Sequence, residues 1–531
     1  MVLSQATSAL VCALFALWAF KKLVDLLGSG ARQAPYPPGP KPRPIIGNML
    51  DFPTEEASRT YTEWGRQFNS PILHVESLGN HVVILNKRED ADELLEQRAK
   101  LYSDRPTVPI FKLFGWEYNI ALMPYGEEWR QHRRVCQQNF NPQAAKQYET
   151  IQMEKTRQLL RGLLDAPKEF EAHSKLFSIG LAMSMMYGYE VKSIDDPVIA
   201  VAEEGNILAA RLIVPGGSLI NIFPFLRHIP PWVPGLPSRR KAMTVRQLND
   251  EMMRIPTDFV KKSLAEGTAV SSLVTDFYEK KYAVGASQEE EDIIRNVAYT
   301  VYGAASDTTI SSSGTFFYQM VTNPEIQKKA QAELDRVVGL RRLPTLEDRG
   351  SLPYIEAIYR EMLRMRPPVP LSVPHRSSED DHYKGYLIPK GATIFPNIWA
   401  MTHDEEVYPD PFTFKPERFF DAEGNLNNDD RILAYGFGRR VCVGKYVASG
   451  SMWLMIASVL ACFSIKKAQD EEGNEIEINH DYHEFGLMRY VQATLVFSQS
   501  FLTFMTRPFR IEVASSNSNV QPVFDLLPSR S

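Results

Sequence analysis

Tyr435-Gly436-Phe437-Gly438-Arg439-Arg440-Val441-Cys442-Val443-Gly444 is the segment best equipped to do chemistry. Glycines permit backbone geometry or close approach that other residues forbid, and three of them surround Cys442, beside Arg439 and Arg440. Amide donors and guanidinium groups favour a thiolate, and one thiolate can hold a haem iron from one side. An inert buried thiol is the ordinary alternative for a lone cysteine. The glycine pattern weighs for a ligand. Residues 443–461 read as a helix, so Cys442 stands just ahead of a helix N-terminus, whose dipole favours an anion.

A second segment is Gly303-Ala304-Ala305-Ser306-Asp307-Thr308-Thr309, which follows an apolar run at helical spacing over residues 293–301. Small residues let a flat group approach the backbone. Hydroxyls inside a helix can bond the i−4 carbonyl and bend it, opening a notch for O2 and water. Asp307 is costly in such a helix unless paired or wetted. A polar stripe at a helix–helix contact is the other reading of these residues. Glu361 and Arg364 stand at i, i+3 on one helix face. That spacing recurs at Glu56/Arg59, Glu63/Arg66, Glu127/Arg130, Glu154/Arg157 and Glu333/Arg336, where surface pairs are expected.

Together these segments resemble the cytochrome P-450 family of haem-thiolate monooxygenases. Its signature, Phe-x-x-Gly-x-Arg-x-Cys-x-Gly, is matched at Gly438, Arg440, Cys442 and Gly444, with Tyr435 in the phenylalanine's place. The added hydroxyl needs a partner if buried. The resemblance implies the family's fold, mainly α with small β-sheets, and haem b as cofactor. Cys442 would be the axial ligand of the haem iron, with Gly438, Gly444 and Ala304 beside the cofactor. Trp129 and Arg133, in Glu128-Trp129-Arg130-Gln131-His132-Arg133, would bind a haem propionate, assisted by Arg440 and by His375 of Val373-Pro374-His375-Arg376. Arginine is the natural partner of a carboxylate. Glu361-Met362-Leu363-Arg364 matches the family's Glu-x-x-Arg helix, which closes a network with Arg418 of Pro416-Glu417-Arg418-Phe419.

Asp307 and Thr308 match the family's acid–alcohol pair, which delivers protons during O2 activation. Ala305 replaces the usual glycine there, and its methyl would narrow the O2 groove. The implied reaction puts one oxygen atom of O2 into an apolar small molecule. Electrons would come from a membrane-bound NADPH reductase, since the chain has no Gly-x-Gly-x-x-Gly or P-loop of its own. Arg439, Arg440, Lys445 and Arg134 would offer that partner a basic face. The nearest resemblance is to fungal membrane-bound members of secondary metabolism, with a terpenoid or polyketide as the substrate class. A haem-thiolate isomerase or dehydratase and a non-catalytic haem-binding protein are the rival readings. A need for NADPH excludes the first, and reductase-driven turnover excludes the second.

The elements that must position these residues are mostly helical. Residues 82–85 read as a buried strand and 89–100 as a helix with Ala91, Leu94 and Leu95 inward. Helical patterns dominate residues 142–366, broken by prolines at 224–237, and short strands such as Tyr386-Leu387-Ile388 follow Pro367. Residues 105–122, 207–217 and 369–373 are the expected lining of the substrate pocket. The apolar stretch at residues 223–233 fits either core packing or a membrane surface. Residues 489–505 read as an insertion ahead of a last strand at 506–511, with a retained intron as one origin.

At the start, residues 2–20 carry no charge and Lys21 and Lys22 follow. About 20 apolar residues span a bilayer, and a cleaved signal would carry its positive charge ahead of the apolar run. The small residues at 28–31 keep cleavage open as the alternative. Residues 1–27 are therefore read as a membrane anchor, 28–44 as a proline-rich linker and 45–531 as the haem-binding catalytic domain. The positive-inside tendency puts that domain in the cytosol, on a single-pass protein of the endoplasmic reticulum. With 44% hydrophobic and 23% charged residues the chain of 531 is ordinary globular material. Lys and Arg number 59 against 64 Asp and Glu, a net charge of −5, so the basic excess of a nucleic-acid binder is missing. The four cysteines form no C-x-x-C pair and no disulfide framework.

Overall fold

The computed structural model describes residues 34–213, 217–233 and 236–468, with residues 16, 19, 20, 472 and 474–478 and the backbone of three later strands. It is mainly helical with small sheets and divides into two compact units. The expected anchor at residues 1–27 lies outside the described residues, apart from positions 16, 19 and 20.

The smaller unit takes in residues up to 106, 371–401 and 437–439. It holds helix α1 (Ala57–Gln67) and strands β1 (Ile72–Ser77) and β2 (Asn80–Leu85). Leu78 and Gly79 between the strands both have positive φ (51° and 77°), the geometry that matches a two-residue turn to the strands' twist. Next come β3 (His375–Arg376), β4 (Asp381–Tyr383), β5 (Tyr386–Ile388) and β6 (Thr393–Pro396). The main sheet runs β1-β2-β6-β3, with β6 parallel to β2, and β4–β5 is a separate hairpin. Val82, Val83, Ile84 and Leu85 are all buried, because both faces of this strand are covered. The helix expected at 89–100 is instead an α-turn (Arg88–Ala91), a π-helical stretch (Asp92–Gln97) and a further turn (Ala99–Tyr102). Ala91, Leu94 and Leu95 do face inward.

The proline-rich segment is strapped to this unit rather than standing clear of it. Prolines lack N–H donors but keep their carbonyls. Pro35 O accepts from Leu387 N (2.8 Å), Pro38 O accepts from His74 N (3.0 Å), and the Tyr36 ring stacks on His74 at 4.4 Å.

The larger unit, residues 107–370, 402–436 and 440 onward, carries the long helices. They are α2 (Glu127–Phe140), α3 (Glu149–Asp165), α4 (Phe170–Tyr187), α5 (Pro197–Ile213), α6 (Pro237–Glu266), α7 (Leu273–Val284), α8 (Gln288–Thr322), α9 (Pro324–Val337), α10 (Pro353–Met365) and α11 (Lys445–Cys462). At 35 residues α8 spans about 52 Å. It starts at a capping box in which Ser287 and Glu290 each satisfy the other's backbone N–H. Among the described residues α11 is the helix long and apolar enough to cross a membrane. It is apolar all round because it is core, with Trp453, Met455, Ile456 and Leu460 fully buried against α10 and α8 residues such as Ile355 and Phe316.

The apolar stretch at 223–233 divides between its two readings. Leu226 is buried, with Phe223, Phe225 and Ile229 packed against Ile110, Phe114 and Val245, while Trp232 is 78% exposed. Beyond α11 lie β7 (Phe463–Lys467), β8 (Tyr482–Phe485), β9 (Met488–Val491) and β10 (Leu502–Thr506). β10 pairs antiparallel with β7 and β8 with β9. Strand structure thus occupies both ends of the supposed insertion, and β10 ends where the last strand was expected to begin. The run Leu-Thr-Phe-Met-Thr is β-prone, whereas Pro508 just after it has no N–H for a ladder. Residues 492–501 and 507–511 lie outside the described residues.

Candidate active site

Cys442 lies three residues ahead of α11, held by a hydrogen bond from its N–H to Tyr435 O (2.8 Å). Of the three described cysteines it is the exposed one, Cys136 and Cys462 being buried. Protein still crowds the thiol, and this burial pushes its pKa up, against the Gly444 N–H that points at the sulfur and the charges of Arg133 and Lys445. A bound metal ion deprotonates such a thiol outright.

The two central glycines behave differently. Gly438, in the smaller unit, has φ +55°, and a Cβ there would sit 2.0 Å from Leu95 O. Its N–H donates to Glu96 Oε1 (2.8 Å), so the π-helical stretch closes directly on it. Gly444 has an ordinary φ of −87° with nothing within 4 Å of a Cβ position. The hydroxyl that Tyr435 adds finds Tyr359 Oη at 2.8 Å.

On α2, Trp129 is 5% exposed and packs on the Arg440 guanidinium, 4.4 Å from its ring. Arg440 donates to Ile120 O (3.2 Å) and Met123 O (2.8 Å). Arg133, one turn on from Trp129, donates through Nη2 to Val441 O (2.8 Å), and its buried Nε has no hydrogen-bond partner. Burial lowers the Arg133 pKa. His375 belongs to the smaller unit, where it is buried on β3 and meets Tyr102 O at 2.8 Å.

α8 stays helical through the Gly303–Thr309 motif. Within it Ala304 is exposed, and Gly303, Ala305, Asp307 and Thr308 are half-buried, between buried Val297–Thr300 and buried Ser311–Ser313. A Cβ on Gly303 would meet nothing within 4 Å. Thr308 Oγ1 donates to Ala304 O (2.8 Å), and Ser178 of α4 donates to Ala305 O and Ser306 O (3.1 and 2.7 Å). Ala305 and Val443, next to the cysteine, pack into one apolar cluster.

Glu361 is fully buried and accepts from Arg364 (2.6 and 3.0 Å), Arg418 Nε (3.1 Å) and Lys415 N (2.9 Å). The remaining donors of both arginines reach the carbonyls of Thr402, Pro409, Asp410, Pro411 and Thr413. Three of the other equally spaced pairs, Glu56/Arg59, Glu63/Arg66 and Glu127/Arg130, are solvent-facing ion pairs. Glu333 instead caps α10, accepting from Tyr354 N and Ile355 N.

One positioning contact escaped the sequence. His132, between Trp129 and Arg133, is buried with Nδ1 2.8 Å from Glu128 O and Nε2 3.1 Å from Asn296 Nδ2. The carbonyl must be met by Nδ1–H, so Nε2 accepts from the amide and ties α2 to α8.

A mainly helical chain with a glycine-bracketed cysteine ahead of a core helix, a small-residue turn in a long helix and a buried Glu–Arg–Arg network has the design of a haem-thiolate enzyme. The cytochrome P-450 family model matches residues 37–489. The chain is 38% identical over 483 residues to the cytochrome P-450 monooxygenase ple1 of Rhodocybe pseudopiperita, covering 89% of this chain and 91% of the relative. It is 37% identical over 486 residues to the cytochrome P-450 monooxygenase COX2 of Coprinopsis cinerea (90% and 91%), and 35% identical over 454 residues to the tryptamine 4-monooxygenase of Psilocybe cyanescens (84% and 89%). The chain belongs to the cytochrome P-450 family; it is a monooxygenase whose family cofactor is haem iron. The family match ends at residue 489, where the supposed insertion begins.

Proposed function

We propose that the chain is an anchored monooxygenase of fungal secondary metabolism, with Cys442 as the axial ligand of its haem. The observation that carries this is the exposed residue Cys442 just ahead of α11, its N–H held by Tyr435 O and its sulfur facing the Gly444 N–H. Cys442 would hold the haem, and the bound group would supply O2 activation, which a thiolate ligand favours. The donor set fits that group: one sulfur for the iron, an open Ala304–Gly303 turn for a flat ring, and a buried cation with a donor to give.

Arg133 Nε would hold a propionate, with the Trp129 indole beside it. Arg440 would assist at the propionate while each of its amino groups spends a donor on the chain at Ile120–Met123 and its guanidinium packs on Trp129. By the family resemblance alone, His375 would assist at a propionate and Gly438 would belong to the cofactor loop. Putting one oxygen atom into a substrate and the other into water consumes two electrons and two protons. Asp307 and Thr308 would hand on those protons. Thr308 Oγ1 gives its own hydrogen to Ala304 O and keeps its lone pairs to accept one.

Electrons would come from an NADPH reductase bound at a basic face of the larger unit that includes Lys445 and Arg134. Residues 1–27 would anchor the chain in the endoplasmic reticulum membrane, leaving the catalytic units in the cytosol. An apolar terpenoid or polyketide is the proposed substrate. The name of one relative adds tryptamine to the compounds worth screening.

The test is the ferrous carbon monoxide difference spectrum of the full-length protein in membranes. A strongly red-shifted Soret band, lost in Cys442→Ser, is the expected result. A normally placed band in the native chain would overturn the ligand assignment.

A further inference from the structure

Tyr435 stands where the family signature has phenylalanine, and its extra hydroxyl is the head of a chain of contacts. Its carbonyl accepts the Cys442 N–H (2.8 Å), and its hydroxyl shares a 2.8 Å hydrogen bond with Tyr359. Tyr359 is completely buried on α10, where Ser449 of α11 is a polar neighbour of its phenol. Ser449 Oγ accepts from Arg349 Nη2 (2.9 Å), and Arg349 is held by Glu356 (2.8 Å). The same guanidinium lies 5.2 Å from the Tyr359 ring and 5.8 Å from the Trp453 ring, which fixes the phenol on its other side. The 3-10 turn Leu346–Ser351, α10 and α11 thus converge on one hydroxyl of the cysteine loop.

We propose that Tyr359 is a positioning residue that acts on Cys442 through Tyr435. A phenylalanine at 435 would be held by packing alone. A tyrosine there must also place a hydroxyl, and an unpartnered hydroxyl in protein surroundings pulls its ring toward water. Any tilt of residue 435 moves the carbonyl that holds the Cys442 amide. That in turn re-aims the sulfur against the Gly444 N–H. The donor strength of a metal-bound sulfur follows the hydrogen bonds made to it, so the redox behaviour of the bound haem should report the tilt.

The inference rests on Cys442 as the iron's ligand, and the experiment separates the two. The reduction potential of the full-length holoprotein is measured by spectroelectrochemistry, alongside its carbon monoxide spectrum. Tyr359→Phe strands the Tyr435 hydroxyl and should change the one-electron equilibrium roughly fivefold, the size of one hydrogen bond, or about 40 mV at 59 mV per tenfold. The double variant Tyr359→Phe/Tyr435→Phe should lie close to the native value, because removing both partners of a bond is nearly neutral, and so should Tyr435→Phe, which leaves no hydroxyl on residue 435 to tilt the carbonyl that holds Cys442. A double variant shifted as far as Tyr359→Phe, or equal potentials in all four proteins, overturns the proposal. Should Tyr359→Phe lose its haem, Ser449→Ala cuts the chain one step further out and must shift the potential the same way by less. No shift there also overturns it. A native protein without the red-shifted band removes the ligand assignment itself, and this inference falls with it.

Discussion

Around Glu361 each carboxylate oxygen is met by a guanidinium group, and Arg364 and Arg418 place their other donors on backbone carbonyls. Around Arg133, by contrast, one amino group reaches Val441 O while the buried Nε reaches nothing, and the neighbouring helix α8 leaves Ala304 exposed amid buried turns. Charges taken from water are tolerated only where hydrogen bonds replace it. The first cluster meets that condition within the chain, as a structural fastening must. The second would meet it on binding the acidic ligand proposed above. Between these two clusters the difference is that each guanidinium nitrogen of Arg364 and Arg418 has a partner, whereas Arg133 Nε has none.

Breaking the fastening should give the largest effect. Glu361→Ala leaves two guanidinium groups facing each other without their carboxylate, a loss of about 3–5 kcal/mol, read by denaturant unfolding. Haem content should fall with it. A loss under about 1 kcal/mol would mean that the carbonyls alone hold the arginines. On the binding side, Thr308→Val removes a hydroxyl while Ala304 O keeps its helical N–H. Product formation should drop on the order of 100-fold, the range of general acid–base catalysis, with unfolding and the carbon monoxide spectrum unchanged. Parallel losses of stability and turnover would move Thr308 to the structural class. Arg133→Ala should weaken haem binding roughly tenfold or more, as expected for a charge-assisted hydrogen bond, without the stability loss of Glu361→Ala. The reverse pattern would make Arg133 a second fastening.

The same contrast explains what was legible beforehand. Cys442 with its glycines, and Glu361 with Arg364, are local strings whose chemistry needs neighbours a few residues apart. Arg418 required the family resemblance, since 57 residues separate it from Glu361. The Tyr359 hydroxyl, 76 residues from Tyr435, carries no mark in the sequence, although the tyrosine itself announced that a partner was needed. The π-helical stretch was invisible because widening a helix by one residue keeps Leu94 and Leu95 inward, as a plain helix would. His132 was hidden for a related reason: a histidine on a charged helix face resembles any surface residue until Asn296 is found opposite. The docking of Pro35 and Pro38 carries no mark in a proline-rich run, because a carbonyl acceptor is common to every residue and the partners, His74 and Leu387, lie far along the chain.

Glu171, in the first turn of α4, sharpens the contrast from the acidic side with the smallest expected effect. Its position near a helix N-terminus favours the anion, yet burial pushes its carboxyl up to about 7 from an ordinary 4.5. The folded value lies above the unfolded one, so the folded chain binds this proton more tightly between those limits. The stability this gives is fully present below about pH 4.5 and is lost as the pH rises through 7. Glu171→Gln abolishes the ionisation and should raise the unfolding midpoint at pH 8 while changing it little at pH 4.5. Glu361→Gln, measured beside it at pH 8, should lower the midpoint. Removing a charge that has partners and removing one that has none would then act with opposite signs. A pH-independent effect of Glu171→Gln would show that its carboxylate is partnered after all, and would confine the contrast to the arginines.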